Sequence, residues 1–413
     1  MLDLRPKWTG TWHTRLYALD GREIPSQEEE PESVLPFSWR RRMSFFADLP
    51  PFEAGHFEVR ALEGKKEQEE ITPALVHRVD TAEGFINGLD AGGGRECLAG
   101  HLLKPLVLED DGDSWGADRW SYRNLLGQFG LVKGSLTLLG KGPVRRITEA
   151  VYSWNKSRIA LRTVSYPNWP VMEFRARVQW NESRKRLKFS IPTVFKSDSV
   201  LCEVPGGSIR RPADGQEHVQ GRWSYLEGVI GGVPTGFGVV NSGQFGLDFQ
   251  NGEIRLSCLR SAVYCHDQAY RIEEPPSHKY MDQGVHEVRL LLTAGEPESV
   301  RRSLPGLADW LSAPPLVYSH LPIGEARKVG VPRRARFLVI EPATIRLTAL
   351  KRSEDGHSLV LRLHETQGKA TNGKLALGEP PVRARLSFAP FELKTIRIDR
   401  TGKWHEVDLI TEK

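Results

Sequence analysis

In the stretch "VMEFRARVQW", residues 171–180, apolar and polar side chains alternate without a break from Met172 onward. Met172, Phe174, Ala176, Val178 and Trp180 fall on one side, and Glu173, Arg175, Arg177 and Gln179 on the other. A strand sends successive side chains to opposite faces, so this pattern describes an antiparallel strand with one buried and one polar face. The period of two recurs in "KRLKFSI" with Leu187, Phe189 and Ile191, and in "EIRLSC" with Ile254, Leu256 and Cys258. Near the C-terminus "RARLSFA" and "KTIRIDR" repeat it with Leu386, Phe388, Ile396 and Ile398. Helical periodicity is scarce. The best candidate is "PESVRRSLPGLADWL" (297–311), which Pro305 is expected to break in the middle. The chain is therefore expected to be all-β, assembled from stacked antiparallel sandwiches.

A chain of 413 residues exceeds one ordinary core, and its 39 Gly and 27 Pro suit many turns between short elements. The charged run "LEGKKEQEEIT" (62–72) and the Pro-rich stretches between 312 and 337 suggest three domains: 1–72, 73–320 and 321–413. No repeat of the propeller or solenoid kind is present.

Net charge is +5, with both signs interleaved. No basic stretch combines with aromatics as a nucleic-acid groove does, so no nucleic-acid partner is expected. The densest basic spots, "RKRLK" (184–188) and "SWRRR" (38–42), read as exposed strand faces. Cys97, Cys202, Cys258 and Cys265 form neither a CxxC pair nor a zinc-ribbon spacing, and Cys258 reads as a small core residue. There is no apolar leader and no run long enough to span a membrane, so the expected setting is the cytoplasm, without membrane contact. Among the histidines, His13, His77 and His101 have no carboxylate two positions on. His266 and Asp267 are adjacent and would point to opposite faces of a strand, while His218 and His286 each sit beside a Glu at a predicted strand edge. No resident metal is expected.

"EDDGDSWGAD" (109–118) places Glu109, Asp110, Asp111 and Asp113 within five positions, ahead of Trp115. A calcium loop needs Gly at its sixth place, whereas counting from Glu109 puts Gly112 fourth. The segment reads instead as a solvated acidic turn, with Asx-type self-bonding and permissive φ at Gly112. Asp110 and Asp113 are the tempting carboxyl pair for chemistry, but a turn would hold both in water.

Several segments stand out by their order along the chain. They run in order as "LDGREIPSQ" (19–27), "RRRMSFFADLPPFEAGHFEV" (40–59), "EDDGDSWGAD", "GPVRRITEA" (142–150) and "EFRARVQWNESRKRLKFSIP" (173–192). "VPGGSIRRPADGQE" (204–217), "GFGVVNSGQFGLDFQNGEIRLSCLRS" (236–261) and "SFAPFELKTIRI" (387–398) continue the series, and together these segments resemble the β-region of glycoside hydrolase family 38, the α-mannosidases. The resemblance implies a mutarotase-like supersandwich in the centre and smaller β-domains at both ends. In that family the nucleophile, the acid and the zinc ligands lie in a preceding α/β barrel, and this chain starts where the sandwiches start. The resemblance thus implies no cofactor here, zinc only in the barrel, and no catalysis by the isolated chain.

The function implied by the resemblance is that of a part of an α-mannosidase, supporting the barrel and walling the mannose site. Its expected partners are a mannose-containing glycan and either a separate barrel polypeptide or further copies of itself. Arg260, in "LSCLRSAVYC", ends a strand whose alternate members are apolar, so it must emerge at a rim or meet a buried acid. The resemblance implies that it reaches toward the sugar site; a structural ion pair is the plain alternative. Trp115 offers a flat apolar face to a sugar or else plugs an interface. Asp113 and Tyr122 complete the substrate-side candidates, and no catalytic residue is nominated. Two other readings stay open: a self-standing carbohydrate-binding β-protein, and a different enzyme with two histidines and a carboxylate converging on a mutarotase-like sandwich.

Overall fold

The computed structural model describes residues 2–3, 11–29, 40–49, 51–64, 72–116, 120–264, 279–317, 337–378 and 380–411. Most of the charged run at 62–72 and of the Pro-rich stretch before 337 lies outside these residues, as do Cys265, His266 and Asp267. The chain forms two compact units, one of residues 67–204 and 208–315, the other of 1–66, 205–207 and 316–413.

The larger unit is a sandwich of a ten-stranded and a six-stranded sheet, every strand pairing being antiparallel among those described. In the six-stranded sheet the order is Leu125–Gln128, Lys104–Glu109, Lys185–Pro192, Glu253–Arg260, Gly246–Gln250 and His218–Val219. The alternating apolar residues do what their period requires. Met172, Phe174, Val178 and Trp180 from the large sheet meet Leu187, Phe189, Ile191, Ile254 and Leu256 from the small one in a single buried core. A fully buried Leu, Ile or Phe contributes about 1.5–3 kcal/mol, so this interleaving dominates the unit's stability. Trp180 also ties the sheets together, its Nε1 donating to Ser261 Oγ at 2.8 Å.

The helix Pro297–Ser312 runs straight through Pro305, contrary to the break expected there. Pro305 removes one backbone hydrogen bond, but the helix lays Val300, Leu304, Leu307, Ala308 and Leu311 on Leu291, Val240 and Tyr225 of the large sheet. That burial outweighs the lost bond. Glu296 caps the helix, its carboxylate accepting from the N–H groups of Glu298 and Ser299.

The second unit contains four small sheets. In its N-terminal part, Trp12–Ala18 pairs with Glu23–Ile24 and Phe57–Glu63, while Arg40–Phe45 pairs with Ser26–Glu29. Its C-terminal part is a sandwich of the sheet Leu338–Glu341, Thr371–Leu377, Val382–Phe388 and the sheet Ile345–Arg352, Ser358–Glu365, Leu393–Asp399, Trp404–Val407. Leu386, Phe388, Ile396 and Ile398 are buried together there, as their alternation predicts. The all-β expectation is met, with stacked sandwiches throughout. Among the described residues no helix is long and apolar enough to cross a membrane.

Candidate functional site

One strand of the small sheet, Lys185–Pro192, is buried on both faces. Leu187, Phe189 and Ile191 face the core, so Arg186, Lys188 and Ser190 must take the opposite face. That face is closed over rather than open. Arg186 is nearly buried and Lys188 is 0% exposed, which corrects the reading of "RKRLK" as an exposed strand face. Covering loops remove these cations from water, so each needs an anion close by. Lys188 Nζ donates to Asp248 Oδ2 at 2.6 Å and also to Glu217, while Arg123 donates to the other oxygen of Asp248. Arg186 Nη1 donates to Glu217 Oε1 at 3.2 Å, and Ser257 Oγ donates to the same carboxylate. Glu217 reaches in because residue 246 is glycine: a Cβ there would stand 2.6 Å from Glu217 Oε1.

The acidic segment 109–116 is part of this cover. Asp110 is 0% exposed and Asp113 is 5% exposed, so the turn does not hold them in water. Asp110 Oδ2 accepts from Arg260 Nε at 2.7 Å and from Arg186 Nε at 3.1 Å, and Oδ1 accepts from Arg260 Nη2 at 3.0 Å. The same guanidinium reaches the backbone, with Nη2 donating to Asp113 O at 2.5 Å and Nη1 to Ser114 O at 3.3 Å. Asp113 Oδ1 in turn accepts from Gly116 N at 2.6 Å, which is the expected Asx-type bond. The left-handed residue is Gly116, at φ 71°, rather than Gly112. Gly116 also lies so close to Arg260 that a Cβ would come within 3.3 Å of Nη1.

Arg260 reaches this position through a β-bulge. Leu187 pairs with Leu259 but Lys188 pairs with Ser257, so Cys258 is the extra residue. Counted by twos from Ile254 and Leu256, Arg260 would face the core; the bulge reverses the parity and turns it to the charged face. Cys258 itself packs against the core cluster. Arg260 N donates to Asp282 Oδ2 at 2.8 Å, which anchors the strand end.

Tyr122 is buried beneath the cover, with the Arg186 guanidinium 3.6 Å from its ring centroid. Burial raises its hydroxyl above the ordinary tyrosine value, against the pull of the Arg186 charge. Trp115 and Trp120, by contrast, stand 68% and 70% exposed. Trp120 is fixed through its backbone, its carbonyl accepting from Glu217 N at 2.7 Å. Beyond them the chain forms the adjoining edges of both sheets, where Leu125, Leu126, Leu138 and Leu139 are all exposed. Locked polar loop and apolar edge thus belong to the same unit.

Two family models match the chain. The C-terminal domain of glycosyl hydrolases family 38 covers residues 72–271, and the C-terminal beta sandwich domain of the same family covers residues 344–410. The chain belongs to glycoside hydrolase family 38. Alpha-mannosidase G of Dictyostelium discoideum is 23% identical over 290 residues, which is 66% of this chain and 25% of that protein. Two solved structures from Enterococcus faecalis have the same fold. An alpha-mannosidase from strain V583 superposes with a TM-score of 0.69 at 13% identity, over 95% of this chain and 51% of that one. A protein in the glycosyl hydrolase family 38 gives 0.70 at 14% identity, over 95% and 53%. The family 38 chain therefore spans about half the length of those structures and a quarter of the curated relative.

In the family 38 chain the four substrate-side candidates lie on one segment and the strand that clamps it. Arg260 and Asp113 hold the loop, Tyr122 lies under it, and Trp115 projects from it. Asp110 and Asp113 do not form an isolated carboxyl pair, because Asp110 is held by two arginines. Sequence reasoning missed Asp110, Arg186, Lys188, Glu217 and Asp248 as partners, and Trp120 as an exposed aromatic. Charged residues on alternate positions opposite an apolar face look the same whether water or another loop covers them.

Proposed function

We propose that this chain is the β-sandwich portion of an α-mannosidase-like glycoside hydrolase, walling a mannose site and buttressing a catalytic barrel supplied outside these residues. The observation that carries this reading is the loop 110–116, pinned by Arg260 at Asp110, Asp113 and Ser114, which presents Trp115 to the outside. A pinned loop with an exposed indole suits a surface that must hold one shape against a sugar or a partner. The exposed leucines Leu125, Leu126, Leu138 and Leu139 support a buttressing role, since exposed large apolar side chains gathered on edge strands suit an interaction surface. The full-length activity of the relatives is carried over here as a proposal, because this chain spans only part of them. The described thiols form no disulfide, which supports a reducing, cytoplasmic setting.

On this reading Arg260, Asp113 and Tyr122 act by positioning, and Trp115 makes the contact. The isolated chain should not hydrolyse an aryl α-mannoside with or without zinc, and should gain activity when a family 38 barrel is supplied. Turnover by the isolated chain that persists through further purification would overturn it. The exposed pair Trp115 and Trp120 also favours a second reading, a carbohydrate-binding protein that works alone. Saturable binding of a mannose oligosaccharide by a strict monomer, with no response to a barrel, would select that second reading.

A further inference from the structure

The outward face of the ten-stranded sheet carries a line of arginines that the sugar-facing site does not use. In the register of three adjacent strands, Arg162 of Ser157–Ser165 stands opposite Arg175 of Met172–Trp180, which stands opposite Arg289 of Gly284–Gly295. Strands lie about 4.8 Å apart, so the row is roughly 10 Å from first to last Cα. Like charges directly opposite each other in a sheet are destabilising, and core packing gains nothing from three guanidiniums in line. All three are half-buried. Trp310 of the helix Pro297–Ser312 lies over the last member of the row, its ring centroid 5.8 Å from the Arg289 guanidinium carbon.

Carboxylates pair with all three arginines, and at Arg175 and Arg289 one carboxylate is shared between two guanidiniums. Glu149 accepts from Arg162 Nε at 2.6 Å. Glu173, 0% exposed, accepts from Arg175 Nε at 2.8 Å and from Arg289 Nη2 at 3.0 Å. One carboxylate therefore serves two guanidiniums, and Arg289 Nε is buried with no protein acceptor. A guanidinium offers five donors in a planar fork that matches the oxygens of a phosphate or sulfate. Side-by-side forks one strand step apart fit anionic groups spaced by about 5 Å.

We propose that the row Arg162, Arg175 and Arg289 is a binding site for tetrahedral oxyanion groups, phosphate or sulfate, carried by a small ligand or a sugar. The partly buried setting excludes some water and strengthens each charge-assisted bond, while Glu173 keeps two of the forks oriented. The site is independent of the mannose-site reading, since it stands on the opposite sheet of the sandwich.

The test is calorimetric titration of the full chain, at low and at moderate salt, with sodium pyrophosphate, sodium sulfate and a sulfated disaccharide, against the unsulfated disaccharide. One saturable site for at least one of the anionic probes is expected, weaker at higher salt. Preference for pyrophosphate would assign the site to phosphate esters, and preference for the sulfated sugar to sulfated glycans. Arg175→Gln and Arg289→Gln should each raise Kd tenfold or more, whereas Arg158→Gln, exposed on the same face but four residues along the strand from Arg162, should leave it within twofold. Should a glutamine variant fail to fold, Arg175→Lys keeps the charge without the fork and should weaken binding several-fold. Absence of saturable binding to every anion, or equal weakening by Arg158→Gln, overturns the proposal.

Discussion

Arg260 and Asp110 form a two-point ion pair, Nε to Oδ2 at 2.7 Å and Nη2 to Oδ1 at 3.0 Å, around a carboxylate with no solvent exposure. They are 150 residues apart in sequence, and the pair joins the end of a sheet strand to the loop that covers the sheet. Removing one partner of a buried pair costs up to about 3–5 kcal/mol, and here Asp110 keeps a second bond, from Arg186. Arg260→Ala should therefore lower unfolding free energy by up to that amount in urea titration, and Asp110→Asn should lower it too, because its amide nitrogen would meet a guanidinium donor where a carboxylate oxygen now accepts. A stability loss under about 1 kcal/mol, together with lost sugar affinity, would instead make Arg260 a ligand-binding residue.

Trp115 should behave in the opposite way. Its side chain is largely in water, so Trp115→Ala should change stability by no more than about 0.5 kcal/mol. The loss should appear in binding, as weaker mannose-oligosaccharide affinity or weaker association with a barrel. An unfolded or strongly destabilised variant would show that the indole is a packing element after all.

Glu173 predicts a pH dependence with a definite sign. Burial pushes its carboxyl upward, but the bonds from Arg175, Tyr166 and Arg289 and the Arg175 charge more than offset this, so it is held below the ordinary glutamate value. A depressed folded value means that the stabilisation is fully present above the unfolded value, about 4.3 for a free glutamate, and is lost as pH falls through the folded one. The stability gap between wild type and Glu173→Gln should stay constant from about pH 6 to 8 and shrink below about pH 4. Urea unfolding at a series of pH values measures it. A gap that widens in acid would contradict the assignment.

The buried thiols should be unreactive in the folded chain. Burial pushes Cys97 and Cys202 up to about 12 and raises Cys258 as well, so almost no thiolate exists at about pH 8. Iodoacetamide at that pH should label these three only after denaturation, as read by peptide mass spectrometry. Rapid native labelling of any of them would mean that its part of the core opens readily.

The all-β architecture was legible because burial on one face of a sheet imposes a period of two, and residues 172–180, 383–389 and 394–400 keep that period without interruption. The family likeness was legible for a related reason: turn and strand motifs recur in a fixed order when the same sandwiches must close. The site was not legible in the same way. An alternating charged residue carries no mark of whether solvent or another loop lies above it, so Lys188 looked like a surface lysine and is fully buried beside Asp248 and Glu217. The extra residue at Cys258 is equally silent in the sequence, yet it turns Arg260 from the core face to the face where Asp110 waits. Periodicity is a local property of the chain and can be read residue by residue. Which strand bulges and which loop excludes water depend on contacts between segments far apart in the chain, and those exist only in the folded protein.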